Sequence, residues 1–149
     1  MNTRFIADVM LGRLARWLRV LGLDVAYSNA YEDNEIVRMA EQENRVILTR
    51  DTGLAARRSR AESLLIASGD YKEQIQQVLR TFDLRTFTVF SRCLECNVLL
   101  KDVDKESVFE QVPAYVYLTQ ERFAICPLCN RVYWHGTHAD RMLKQIPLP

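Results

Sequence analysis

Two C-x2-C pairs constrain the fold of this 149-residue chain more than any other feature of its sequence. The first pair is Cys93 and Cys96, the second is Cys126 and Cys129, and residues 97–125 separate them. Two close pairs far apart in sequence are typical of a four-thiolate zinc site, in which the metal joins two tight turns that could not bury a core alone. We therefore expect a structural zinc ion bound by all four cysteines, with no ligand position left open for catalysis.

Disulfides and a redox-active thiol pair are the alternatives for these cysteines. Disulfides are disfavoured in a reducing cytosol, and a redox C-x2-C motif usually occurs once, whereas this chain has two. Between and after the pairs, VPAYVYLTQERFAIC and NRVYWHGTH are rich in β-formers and predict strands. Residues 85–149 are therefore predicted to form a small β zinc ribbon with a C-terminal tail.

Four aromatic side chains follow the second cysteine pair: Tyr133, Trp134, His135 and His138. They could stack on nucleic-acid bases, but side chains of this kind more often complete a small core. The histidines are also possible surplus metal ligands, although four thiolates already complete a tetrahedral zinc site.

The first part of the chain, residues 1–84, contains no cysteine and alternates short apolar segments with amphipathic ones. Strands are predicted at residues 5–7, 24–27, 46–49 and 64–66, and helices at residues 11–21, 33–43, 52–60 and 71–79. Strands that alternate with helices predict an α/β domain in which a parallel sheet is covered by helices on both sides.

Three aspartates lie where this predicted domain would place a site. Asp8 follows the first strand, Asp51 follows the third, and Asp33 opens the helix after the second. Strand-to-helix turns of a parallel sheet all lie along its carboxyl edge, so we expect the three carboxylates to meet there. Each aspartate also suits a helix N-cap, but like charges repel unless a cation compensates them. Carboxylates suit Mg²⁺ or Mn²⁺, which can activate a water for phosphodiester hydrolysis.

Several other classes of protein are disfavoured by what the chain lacks. No histidine precedes His135, no thiol lies outside the two pairs, and no G-x-G-x-x-G or P-loop motif occurs. No apolar run approaches the roughly 20 residues of a membrane span, and the N-terminus has no apolar secretory segment. We expect a protein of the cytoplasm, and its net charge of +1 does not by itself indicate a nucleic-acid binder.

The arginines give a more specific indication, since they make up 16 of the 20 basic residues. The first predicted helix has its leucines on one face and Arg13, Arg16 and Arg19 on the opposite face. Arg50 adjoins Asp51. Arginine binds phosphate through a planar fork, so these side chains are candidate substrate-binding residues along a nucleic-acid backbone. The alternative is an ordinary solvated helix face.

Taken together, FIADVMLGRLARWLRVLGLDV, DNEIVRMAEQENRVILTRDTGL and CPLCNRVYW resemble the Mut-seven C-terminal RNase family. The resemblance implies a PIN-like nuclease domain followed by a zinc ribbon. Asp8, Asp33 and Asp51 then match three acids of a metal-dependent ribonuclease site. PIN-like relatives often have a fourth acid two residues after the third, where this chain has Gly53; Glu35 and Asp70 are the nearest substitutes, and one or two catalytic metals remain possible.

The resulting hypothesis is a cytoplasmic ribonuclease that binds RNA and uses Asp8, Asp33 and Asp51 to hold Mg²⁺ or Mn²⁺ beside a structural zinc. The alternative is a non-catalytic RNA-binding or ribosome-associated adaptor that uses the zinc ribbon and the arginine face. The two differ because adaptor binding would be sensitive to salt but indifferent to divalent ions. The oligomeric state and the identity of the RNA are left open.

Overall fold

A computed structural model describes residues 2–148. The strands are β1 (Arg4–Ala7), β2 (Asp24–Ala26), β3 (Val46–Thr49), β4 (Ser63–Leu65), β5 (Lys101–Val103), β6 (Phe123–Ile125) and β7 (Val132–Tyr133). The helices are α1 (Gly12–Val20), α2 (Asp33–Glu43), α3 (Thr52–Ala55), α4 (Tyr71–Thr81), α5 (Ala114–Thr119) and α6 (Thr137–Gln145). Short 3-10 helices span Val9–Leu11 and Lys105–Val108. Within residues 2–148, no helix is long and apolar enough to cross a membrane.

The first four strands form a parallel sheet in the order β2-β1-β3-β4, which confirms the predicted α/β architecture. The chain runs from β1 to its neighbour β2 and then crosses to the other side of β1 to add β3 and β4. The direction of strand addition therefore reverses between β1 and β3. In open α/β sheets a crevice forms outside the carboxyl ends of the strands at such a reversal, and ligands bind there.

Alternating side chains of the central strands supply two cores, because successive residues of a strand point to opposite faces of the sheet. Ile6 and Ile47 pack on one face against Ile36, Ala40 and Leu54 of α2 and α3. The other face packs against α1 and α4, and its buried members include Phe5, Ala7, Leu48, Leu14, Leu18 and Ile75. Helices thus cover both faces of the sheet, as the sequence predicts.

The zinc-ribbon region contains the antiparallel sheet β5-β6-β7, but part of the segment predicted as strand is helical. Residues 114–119 of the segment predicted as strand form α5, whereas residues 123–125 of the same segment form β6 as predicted. The predicted C-terminal tail forms α6. Beyond it, Ile146 is 6% exposed within the core of the α/β sheet, so the last residues pack back onto the first domain.

Helix α3 is also shorter than the predicted helix at residues 52–60. It ends at Ala55, and the loop that follows bonds to α2 instead of continuing the helix. Ser59 Oγ and the Arg60 backbone N–H donate to Glu41 Oε1 over 2.7 and 3.3 Å. These side-chain bonds offer the loop an alternative to helical pairing.

A polar cluster joins the first cysteine turn to the sheet. Asp24 Oδ1 accepts hydrogen bonds from Arg45 Nη1 and Asn97 Nδ2, both over 2.7 Å, and Asn97 Oδ1 accepts from the Val25 N–H. Partial burial opposes ionisation of Asp24, but the bonds from Arg45 and Asn97 outweigh it and hold the pKa of this carboxyl below its ordinary value. The ionised carboxylate thus connects β2, β3 and the cysteine turn.

Replacing Asp24 by asparagine is expected to destabilise the protein by about 1–3 kcal/mol, because Arg45 is 8% exposed and would lose a charged partner. Asp83→Asn is the matched control, since Asp83 pairs with Arg85 in an exposed bridge of little energetic value. The free energy of unfolding in urea at neutral pH measures both. Equal losses in the two variants would show that the cluster does not stabilise the docked turn.

Candidate active site and metal centre

The four cysteines converge on one point, as predicted. Their Sγ atoms all lie within 4.8 Å of one another, and those of Cys93 and Cys129 are 3.7 Å apart. A tetrahedral zinc site with Zn–S bonds of about 2.3 Å requires sulfurs about 3.8 Å apart. The arrangement therefore fits a four-thiolate zinc ion, and it leaves no ligand position for substrate.

Both cysteine turns have the same backbone geometry. The N–H of the asparagine after each pair, Asn97 or Asn130, donates to the carbonyl of the first cysteine, Cys93 or Cys126, over 2.8 and 2.9 Å. Asn97 and Asn130 have φ of 70° and 62°, a left-handed conformation that asparagine adopts more readily than most residues. The N–H of Cys96 also lies 3.4 Å from Cys93 Sγ. The matching C-x2-C-N sequences thus specify two equivalent metal-binding turns.

Tyr133 supports this centre. Its hydroxyl lies 3.2 Å from Cys93 Sγ and accepts a hydrogen bond from the Leu94 N–H. Burial opposes ionisation of Cys93, yet hydrogen bonds from Tyr133 and the turn amides lower the pKa of its thiol to about 7. The thiolate is the form that binds metal, so the surroundings of Cys93 favour the ligating species.

At the carboxyl edge of the sheet, a threonine hydroxyl connects two of the three predicted acids. Asp8 is 3% exposed, and its Oδ2 accepts a hydrogen bond from Thr49 Oγ1 over 2.7 Å. The same Thr49 oxygen accepts from the Asp51 N–H over 2.9 Å. Asp8 and Asp51 follow β1 and β3, so the bridge spans the reversal of strand order where α/β folds place their ligands.

These two aspartates are also helix caps. Asp8 Oδ1 accepts from the Val9 N–H, and Asp51 Oδ1 accepts from the Gly53 N–H, each over 2.8 Å. Capping a helix is compatible with belonging to a site at this edge, because Asp8 is also bonded across the sheet and Asp51 is exposed. A Cβ at position 53 would lie 3.2 Å from Asp51 Oδ1, so an acid there would crowd the third aspartate.

Asp33 takes no part in the hydrogen bonds of this bridge. It is the exposed first residue of α2, and the cap is Glu32, which forms a reciprocal capping box with Glu35. The neighbouring Asn34 accepts a hydrogen bond from Arg57 in the loop after α3. Asp33 therefore lies at the start of α2 without capping it. The suggested substitutes for a fourth acid, Glu35 and Asp70, are both engaged in capping bonds.

Among residues 2–148, the four cysteines are the only group of three or more metal-binding side chains whose ligand atoms lie within 4.8 Å of one another. The three aspartates do not form such a group in this conformation. Three carboxylates are not a chemical requirement for Mg²⁺, because this ion keeps several waters and takes one or two carboxylates together with substrate phosphates.

The structure corrects the predicted position of one arginine of α1. Arg19 is 5% exposed, and its guanidinium donates to the carbonyl oxygens of Val25 and Leu94 over 3.0 and 2.8 Å. Neither the predicted substrate-binding role of Arg19 nor the alternative of a solvated face agrees with this burial, because the first cysteine turn packs over that part of the helix. Arg19 therefore holds the zinc-binding turn against α1 and β2.

The other candidate arginines are exposed. Arg13 places its guanidinium 3.8 Å from the centre of the Tyr71 ring, and Arg16 forms an ion pair with Glu95 at 3.1 Å. Arg50 follows β3 directly, and its Nη1 would lie 3.3 Å from a Cβ at Gly69 in the loop after β4. Arg50 thus lies at the same edge of the sheet as Asp51.

Sequence reasoning missed two residues of this edge. Thr49 was assigned to strand β3 without a role, although a hydroxyl at the end of the buried run VIL is the signal that could have identified it. Tyr27 donates from its hydroxyl to the Val9 carbonyl over 2.7 Å and so fixes the turn after Asp8. No pattern in the sequence links Tyr27 to that turn.

Comparison with known proteins agrees with this architecture. The family model of the Mut7-C RNAse domain matches residues 3–146. A human protein named "Exonuclease mut-7 homolog" is 36% identical over 101 residues, a region that covers 63% of this chain but only 12% of the human protein. No solved structure matches the chain. Since the family model covers nearly all of its length, this chain belongs to the Mut7-C RNAse domain family.

Proposed function

We propose that the protein is a metal-dependent ribonuclease whose reaction takes place at the carboxyl edge of the sheet, beside Asp8 and Asp51. Membership of an RNAse family supports a nuclease function in general, and the name of the human relative points the same way. The observation that carries the proposal is the Thr49 hydroxyl, which ties Asp8 to the Asp51 backbone where the strand order reverses.

Each side chain at this edge has a distinct task in the proposal. Asp8 is fixed by Val9 and Thr49 and supplies a carboxylate at a nearly dry position. Asp51 has one oxygen fixed by Gly53 and presents the other to solvent. Asp33, which lies at the start of α2, is the third proposed ligand. A bound Mg²⁺ or Mn²⁺ would lower the pKa of a water and neutralise charge on the phosphate.

The exposed arginines would bind the RNA backbone. Arg50 adjoins Asp51 and can hold a phosphate through its fork, and Arg13 and Arg16 extend the positive surface along α1. Arg19 is left out of this surface, because its donors are already bonded to backbone carbonyls.

A non-catalytic RNA-binding adaptor is the rival. One observation favours it: within residues 2–148 the three aspartates do not form a three-carboxylate group. The adaptor would bind RNA through the zinc ribbon and the arginines, with affinity that falls as salt rises.

Incubation of the purified, zinc-loaded protein with labelled single-stranded RNA separates the two. We expect cleavage when Mn²⁺ or Mg²⁺ is added and none when it is left out, because two carboxylates alone cannot activate water or neutralise the phosphate. Omitting the ion, instead of adding a chelator, keeps the structural zinc in place. Salt-sensitive binding with no cleavage under either condition would support the adaptor.

Cleavage that proceeds equally well without any added divalent ion would contradict the metal-dependent reaction. The same assay with DNA of identical sequence tests whether RNA is the preferred substrate.

A further inference from the structure

Beside α1, the zinc ribbon and α6 enclose a cleft of about 610 Å³. Its lining includes five aromatic or imidazole side chains, namely Phe90, Tyr115, Tyr133, Trp134 and His138. This volume lies in the range of about 300–1,000 Å³ that small-molecule sites occupy, which is enough for one nucleotide. The cleft is separate from the edge that carries Asp8 and Asp51, and neither acid lines it.

We infer that this cleft binds an unpaired nucleobase of single-stranded RNA and so holds the strand that the sheet edge cleaves. The inference rests on the proposed function for its substrate class. It adds a base-binding site on the zinc ribbon, which the cleavage chemistry itself does not require.

The charge of the lining suits an anionic ligand. Arg16 is the one formally charged side chain among the described residues that line the cleft, and no carboxylate is among them. Glu95, which pairs with Arg16, lies outside the cleft, and both side chains are about half exposed. An ion pair this exposed contributes little free energy, so a phosphate can replace the Glu95 carboxylate as the partner of Arg16.

The rings of the cleft remain accessible. Tyr115 is 70% exposed on α5, so its ring is open to a ligand. Trp134 is supported by Phe123, with ring centres 6.3 Å apart. A Cβ at Gly136 would lie 3.4 Å from Trp134 Cδ1 and 3.6 Å from Gln120 Nε2, so the glycine leaves the edge of the indole open. A side-chain amide beside an aromatic ring can hydrogen-bond a base that stacks there.

A second hollow of about 440 Å³ adjoins this cleft. Arg16 and Leu94 line both spaces. The second hollow continues past Gly12, Tyr27 and Asn29, and the Tyr27 hydroxyl is bonded to the carbonyl of Val9, the residue after Asp8. A strand held by one base in the cleft can therefore pass Arg16 into this second hollow, which Glu95 also lines, on the side of the molecule where Tyr27 bonds the turn after Asp8.

Base stacking distinguishes a single strand from the other occupants. A base within a duplex has both faces covered by its neighbours, whereas an unstacked base offers a face to an aromatic side chain. The lining has hydroxyl, amide and imidazole groups among its rings, which suits a heterocycle with several donors and acceptors better than a purely apolar partner helix.

The test measures the affinity of a short, labelled single-stranded oligouridylate for the zinc-loaded chain by fluorescence anisotropy, without added Mg²⁺ or Mn²⁺. Tyr115→Leu is expected to weaken binding about five-fold or more, because leucine keeps the apolar bulk but loses the stacking ring. Tyr115→Phe keeps the ring and should bind like the unmodified chain. In a Trp17→Phe background, saturable quenching of the emission of Trp134 should accompany binding.

Phe109→Leu is the matched control, since Phe109 is an exposed aromatic, 61% accessible, that lies outside the cleft. Equal weakening by Phe109→Leu and Tyr115→Leu, or equal affinity for a duplex, would overturn the inference. A Tyr115→Leu variant that binds the oligouridylate like the unmodified chain would also overturn the inference. So would a protein that binds an unrelated peptide but not the oligouridylate. Failure of the nuclease proposal would appear separately, as intact Tyr115-dependent binding with no cleavage.

Discussion

Replacing Asp8 and Asp51 together by asparagine is expected to lower the rate of RNA cleavage by about 10³-fold or more. The loss follows because an amide oxygen carries no charge to hold a divalent ion, and the several kcal/mol of transition-state stabilisation that such an ion supplies correspond to that factor. Single-turnover cleavage of labelled RNA with saturating Mn²⁺ measures it.

The two substitutions should differ in their effect on stability. Asparagine caps a helix about as well as aspartate, so Asp51→Asn should leave the free energy of unfolding nearly unchanged. Asp8→Asn places an amide next to Thr49 Oγ1, which already accepts from the Asp51 N–H, and this conflict should cost about 1–3 kcal/mol. Asp51→Asn is therefore the cleaner single test of catalysis.

Thr49→Val removes the bridging hydroxyl with little change in shape and should reduce cleavage about 10- to 100-fold, as expected for a residue that positions a metal ligand. Thr49→Ser keeps the hydroxyl and should restore most of the rate. If the Asp8 and Asp51 double variant still cleaves at the unmodified rate, these acids take no part in the reaction.

The sequence predicts those features that depend on local spacing. The two C-x2-C pairs identify the metal centre, because four thiolates at that spacing have few other uses in a folded chain. The alternation of apolar and amphipathic segments identifies the parallel sheet and places Asp8 and Asp51 at its carboxyl edge, because connections in such sheets follow few rules.

Features that depend on packing between distant segments could not be predicted in this way. Helical spacing places Arg19 opposite the leucines of α1, yet Leu94 and Glu95, more than seventy residues later, cover it and accept its hydrogen bonds. Nothing near Arg19 in the sequence signals that contact. The aromatic cleft is a similar case, since α1, α5 and α6 each contribute only part of its lining.

The misassigned helix α5 shows a different limit. A short run of valines and tyrosines suits a strand by composition, yet residues 114–119 form a helix. Periodicity alone does not separate the two over so few residues. Val116 of this helix is buried in the ribbon core with Val108 and Phe123, and such tertiary packing overrides the local preference for a strand.

Removal of the zinc ion is expected to lower the melting temperature by about 20 °C or more. The ribbon strands have only two or three residues each, too few to be stable alone, so the metal must supply much of the folding free energy. Structural zinc binds with roughly 10–16 kcal/mol in small domains, and each kcal/mol shifts the melting temperature of a chain of this size by about 2–4 °C.

The loss of zinc should also destabilise the α/β domain formed by the first part of the chain. Arg19 and Asp24 would lose their partners in the cysteine turn, and α6, which leads into the buried Ile146, would be left attached to an unfolded segment. Thermal unfolding before and after treatment with a strong chelator measures the change, and limited proteolysis should then cut within residues 97–125. Added Zn²⁺ should restore both properties, whereas Mg²⁺ should not, because thiolates do not favour a hard cation. A Cys126→Ser variant should behave like the chelated protein. A chelated chain that melts at an unchanged temperature would show that the cysteines do not form a structural metal site.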